Sequence, residues 1–178
     1  MKKIVLVNGF IGGLIVAAMM LYSAKQCVTT GNFENGMIYG YTSMLLAFAF
    51  VFVGIKSFRD KYNNGIISFG KAFQIGLWIT LIASSFYVLT WQIDYYCFFP
   101  DFGEKYAAHM LAKAKAGGAS EAAMAKQTAD MLWFKEVYKQ PLYNILFTYA
   151  EILPVGLVIT FISSLILKRK KTKQEQTG

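Results

Sequence analysis

Hydrophobic positions in this chain do not alternate with polar ones. They gather into four long runs, about Ile4–Tyr22, Met37–Ile55, Ala72–Ile93 and Leu142–Leu167. Each is near or above the ~20 residues a helix needs to cross ~30 Å of hydrocarbon. In lipid every backbone amide must be satisfied within its own segment, so four isolated runs of this length predict four membrane-spanning helices; a barrel would show shorter, alternating segments. Only the last run carries a charge, Glu151. The first run follows a basic start, Met1-Lys2-Lys3, as a secretory leader would. It is longer than a leader core, and Tyr22 stands where a cleavage site needs a small residue, so it is expected to be a retained helix.

The polar segments between the runs predict the remaining organisation. Ser23–Gly36 is expected to be a short polar loop. Asn63-Asn64-Gly65 is a turn signal, and Ser68 suits the N-cap of the third helix. Between Asp94 and Pro141, Asp101 and Glu104 have the spacing of a capping box ahead of a helix over Glu104–Ala116, Gly117-Gly118 breaks it, and Ser120 can cap a second helix over Glu121–Tyr138. The expected architecture is one all-α membrane domain over residues 1–178, with four transmembrane helices in one bundle. A helical hairpin over 94–141 lies on the outer side, and a basic cytoplasmic tail spans 168–178. The hairpin is too small for a core of its own, so its apolar face must be covered by the membrane helices, the lipid interface or a partner.

Composition agrees with the pattern: 56% of residues are hydrophobic and 16% charged, with a net charge of +8. If all four runs span, one side holds eleven basic and two acidic residues and the other seven of each. Such an imbalance places both termini in the cytoplasm. It also explains the positive charge through anionic lipid headgroups, without nucleic acid.

Small residues recur at four-residue spacing in every run: Gly9, Gly13 and Ala17; Gly36 and Gly40; Gly76, Thr80 and Ser84; Gly156, Thr160 and Ser164. Such ribbons let helices approach closely in lipid, within one chain or between chains. Tyrosines, among them Tyr22, Tyr39, Tyr41, Tyr95, Tyr96, Tyr143 and Tyr149, mark the outer rim, as a belt at the membrane surface or as walls of a pocket. Cys27 and Cys97 fall just beyond outer helix ends at similar height, and the compartment permits a disulfide between them. His109 has no second ligand nearby, and no metal spacing is present. No zinc-protease, hydrolase, phosphate-loop or CxxC signature appears, so no enzyme, cofactor or metal is expected.

One feature is chemically unusual. Pro154 removes a backbone donor and crowds the carbonyl of Ala150, predicting a kink, and Glu151 lies one turn before it, ~13 Å into the run. An unpaired carboxylate there would cost several kcal/mol, so Glu151 must be protonated, bonded, paired or wet. Tyr41 and Tyr87 lie at heights from which their hydroxyls reach it. Two roles stay open: a non-enzymatic accessory or scaffold that self-associates or binds another membrane protein, and a small channel, transporter-like or lipid- or ligand-binding protein using Glu151 with Tyr41 and Tyr87 in an outward-facing pocket.

The blocks GMIYGYTSMLLAFAFVFVGIKSFRDKY, GIISFGKAFQIGL, YVLTWQIDYYCFFPDFGEKYA and EILPVGLVITFISSLILKRK resemble the integral membrane proteins classed as domain of unknown function 4199, which occur mainly in bacteria of the Bacteroidota type. The similarity runs from about Gly9 to Lys170. It implies a four-helix protein of the bacterial inner membrane with a helical outer loop, and it carries no activity, substrate or catalytic residue.

Overall fold

A computed structural model describes residues 1–31 and 33–169, except for the side chains of residues 34 and 35. The tail expected to be basic lies outside the described residues from position 170 onward. The chain folds into α1 (Lys2–Thr30), α2 (Phe33–Tyr62), α3 (Phe69–Ile93), a π-helical segment (Asp94–Phe98), α4 (Phe102–Ala116), α5 (Glu121–Tyr138) and α6 (Pro141–Leu167). Four stretches, Lys2–Thr30, Gly36–Tyr62, Phe69–Phe98 and Pro141–Leu167, are long and apolar enough to cross a membrane. On that ground the chain is a membrane protein. Exposed leucines, valines and isoleucines along them, such as Leu6, Leu14, Leu45, Leu89, Val158 and Ile162, then face lipid instead of water.

The helices outrun their hydropathy. The loop expected over Ser23–Gly36 is instead helix at both ends: α1 continues to Thr30, Gly31 closes it in the left-handed conformation at φ 68°, and α2 begins at Phe33. Hydropathy falls after Tyr22, but the inward stripe of α1 does not stop there. Gly9, Gly12, Gly13, Val16 and Met20 are followed at the same spacing by Ser23, Ala24 and Cys27, all buried. The predicted capping box is also replaced. Asp101 makes no side-chain cap bond; its carboxylate pairs with Lys105 at 2.7 Å, and Glu104 pairs with Lys135 of α5 at 2.6 Å. Ser68 and Ser120 do cap, accepting from the backbone amides of Lys71 and Ala123 at 3.3 Å.

α3 is the common neighbour, in contact with α1, α2 and α6. Its crossings are set by missing side chains. A Cβ on Gly9 would lie 2.8 Å from Ile82, and one on Gly13 2.6 Å from Phe86, so α1 lies tight on α3. A Cβ on Gly76 would meet Thr160 at 2.7 Å, and one on Gly156 would collide with Thr80 and meet Phe48 at 2.7 Å, so α3, α6 and α2 close on one another. The Thr80 and Thr160 hydroxyls bond to each other at 2.9 Å within this contact. Met44, Phe48, Val51, Ile55, Ile75, Ile79 and Ile152 fill the space between, each 1% exposed or less.

At the end bearing the termini, backbone bonds between Ile67 and Arg169 tie the α2–α3 connection to the end of α6. α4 and α5 lie at the opposite end. Trp91 Nε1 donates to the Tyr138 hydroxyl at 2.7 Å, the Tyr96 hydroxyl donates to the Lys139 carbonyl at 3.0 Å, and the Phe33 ring meets the rings of Phe102, Tyr106 and His109 at 5.3–5.8 Å.

Candidate functional site

α2 and α6 touch where Gly156 receives Phe48. Two turns earlier on α2, nothing lies within 4 Å of where a Cβ on Gly40 would sit. Gly40 is therefore not a packing glycine, contrary to its place in the small-residue ribbon, because the space it leaves belongs to a cavity. Gly36 does pack, since a Cβ there would collide with the Cys27 sulfur.

The cavity has a volume of about 390 Å³ and is walled by all six α-helices, within the ~300–1,000 Å³ range of small-molecule sites. Met20, Ser23 and Cys27 come from α1, Gly40, Tyr41 and Ser43 from α2, Tyr87 and Trp91 from α3, and Thr148 and Glu151 from α6. Phe102 and Tyr106 of α4 and Phe134 and Tyr138 of α5 complete it. The fully buried Met44, Phe48 and Ile152 fill the protein toward the end that bears the termini.

Glu151, Tyr41 and Tyr87, singled out in the sequence, thus share one site. Tyr87 from α3 and Glu151 from α6 line the same part of the molecule. Tyr87 and Trp91 are buried at 6% and 8% exposure, whereas Tyr41, at 53%, stands at the rim. Glu151 itself keeps accessible surface although protein surrounds it on several sides, because that surface is the cavity. Among the described lining residues it carries the one charge; no Lys, Arg or His is present to pair with it. α6 runs through Pro154 without interruption, and Glu151 lies roughly 15 Å along the helix from Pro141 at ~1.5 Å per residue.

A polar relay braces the wall. Gln92 Nε2 donates to Asn144 Oδ1 at 2.6 Å, Asn144 Nδ2 donates to the Tyr138 carbonyl at 3.3 Å, and Thr148 Oγ1 donates to the Asn144 carbonyl at 2.7 Å. Burial pushes the Tyr138 phenol up to about 12, so it stays neutral and accepts from Trp91.

The remaining sequence candidates lie elsewhere. Cys27 is buried in the cavity wall and Cys97 is exposed on the π-helical segment; both thiols are free, so the structure does not contain the bridge between them. His109 packs against Phe33 with its ring tilted by 44°. Asp94 is wholly buried at the start of the π-helical turn, with neither carboxylate oxygen bonded to a described group. A spacing signal existed, since Asp94 stands three residues after the inward-facing Trp91, but a hydropathy run ends at the first charge and hides it. Trp91, read with the rim tyrosines, lines the cavity, whereas Phe102, Tyr106 and Tyr138 were missed, because α4 and α5 dock in a way that no local pattern encodes.

The fold and site define a polytopic membrane protein with four candidate spans and an aromatic cavity, with one acid among its described lining residues, between those spans and two further helices. The chain belongs to the family described as Protein of unknown function (DUF4199), whose model matches residues 8–169. No curated protein matches it, and no solved structure does.

Proposed function

We propose that the protein is a non-enzymatic, ligand-binding protein of the bacterial inner membrane. In this reading α1, α2, α3 and α6 form one bundle with both termini in the cytoplasm, and α4 and α5 form an extracytoplasmic hairpin over a cavity that takes up a small molecule. The orientation is supported by the basic residues at the terminal end, and bound lipids cover the exposed apolar faces. The observation that carries the reading is the meeting of Glu151, Tyr41 and Tyr87 in one aromatic-lined cavity of about 390 Å³.

Binding is favoured over passage, because Met44, Phe48 and Ile152 fill the path toward the other end and a second acid, which a relay would use, is not among the described lining residues. It is also favoured over self-association through small-residue ribbons. Gly9, Gly13, Gly76 and Gly156 are already occupied by neighbours in the same chain.

The test is native mass spectrometry of the protein released from its own membrane, compared with Gly40→Phe. A Cβ at this position would meet nothing within 4 Å, and Gly40 lines the cavity, so the added ring is expected to fill that space. A small-molecule adduct on the wild type that the variant loses is the expected result. A wild type without an adduct, or an adduct that Gly40→Phe leaves in place, sinks the reading.

A further inference from the structure

Resting on the cavity as a binding site, we infer that its ligand is an organic monocation: a single positively charged nitrogen on a mostly apolar body, seated against Glu151 and the faces of the surrounding aromatic rings. Three observations converge on this chemistry. Among its described lining residues the cavity has one acid and no basic side chain, so the charge of Glu151 is left for the occupant to match. The walls are rich in rings, with Tyr41, Tyr87, Trp91, Tyr106 and Tyr138 around the same space, and ring faces attract a cation within about 6 Å. The rest of the lining, from Met20 to Phe134, is apolar and suits the body of such a molecule.

Charge balance narrows the class. A zwitterionic phospholipid head would bring a phosphate for which the described lining has no Lys or Arg, and a dication would leave one charge unmatched. An anion or a fatty acid would meet Glu151 directly. The cation is therefore a free lipophilic amine or quaternary ammonium and not the head of a zwitterionic lipid.

The experiment uses the full chain in nanodiscs and three probes: benzyltrimethylammonium, its uncharged carbon isostere neopentylbenzene, and phosphocholine. Binding is read from the fluorescence of Trp91, with Trp78 and Trp133 replaced by Phe. The wild type should bind the cation at least about tenfold more tightly than the isostere. Glu151→Gln should lose that preference while still binding the isostere, which shows that the variant's cavity is intact. The wild-type comparison needs no variant, so it stands even if Gln at this position unfolds the protein. Equal binding of cation and isostere overturns the cation inference and leaves the cavity as a neutral site. Displacement of the cation by phosphocholine at equal concentration overturns it in favour of a lipid head. Failure of all three probes to bind overturns the inference too; an adduct still lost on Gly40→Phe would then keep the binding reading alive for a different ligand.

Discussion

Tyr138 shows how one side chain can hold an outer helix to the membrane-spanning part. Its hydroxyl accepts from Trp91 Nε1, its backbone carbonyl accepts from Asn144, and its ring stacks on Phe134 and Phe147. Removing the hydroxyl in Tyr138→Phe keeps the ring but strands the buried indole N–H, an unmade bond costing about 1–3 kcal/mol. The expected outcome is a lower thermal midpoint with helix content unchanged by circular dichroism. Trp91→Phe in the same background should add little further loss, because the partner is already gone. The phenol also carries a pH signature. A pKa raised by burial means that its stabilising contribution is complete below the ordinary tyrosine value of ~10 and is lost as pH rises toward about 12. Tyr138→Phe should therefore flatten the alkaline limb of the stability profile; an unchanged limb would refute the assignment. Glu151 was legible in the sequence at this scale, since a lone acid in an apolar run is costly unless something receives it. Asp94 was harder to read, because its one signal, the three-residue spacing from the inward-facing Trp91, is hidden where a hydropathy run stops at the first charge.

Among the elements, glycine spacing told which helix face was narrow but not what lay against it. Gly156 and Gly40 occupy similar ribbons, yet the first is filled by Thr80 and Phe48 and the second faces the cavity. Gly156→Ala should cost about 1–3 kcal/mol by overpacking, measured as a shift in the denaturation midpoint, whereas Gly40→Ala should leave it within ~0.5 kcal/mol. Equal effects would contradict the described gap between α2 and α6. The four spans were readable from run length alone. Their ends were not, because helix α1 is prolonged by buried Ser23, Ala24 and Cys27, which hydropathy scores as loop. Between α4 and α5 the exposed Glu104–Lys135 pair joins the two helices. Lys135 holds the Glu104 carboxyl below its usual value. The attraction is thus present above the unfolded pKa of ~4.3 and is lost as pH falls through the lower folded value. Proteolysis between Gly117 and Ser120 should accelerate in that acidic window in the wild type, and in Glu104→Gln it should show no such pH dependence.

Across the whole molecule, the two cysteines that the sequence offered as a bridge become a probe of orientation. Cys97 is exposed at the end bearing α4 and α5, whereas Cys27 is buried in the cavity wall at the same end. Lys2, Lys3, Arg59, Lys61 and Lys71 lie toward the opposite end, where α2 meets α3 and α6 terminates. An excess of basic residues in short segments next to spans sets cytoplasmic placement, so the α4–α5 end should face outward. A membrane-impermeant maleimide applied to intact spheroplasts should then label the wild type and not Cys97→Ser. Cys27→Ser should label as fast as the wild type, because the remaining thiol does the reacting. Labelling that appears only after lysis would invert the topology and turn the cavity toward the cytoplasm. The chemistry of Glu151 and its aromatic walls would survive that inversion, but the compartment supplying the ligand would change. Orientation is therefore the property that connects the charge distribution of the chain to the pool of molecules from which its cavity can draw.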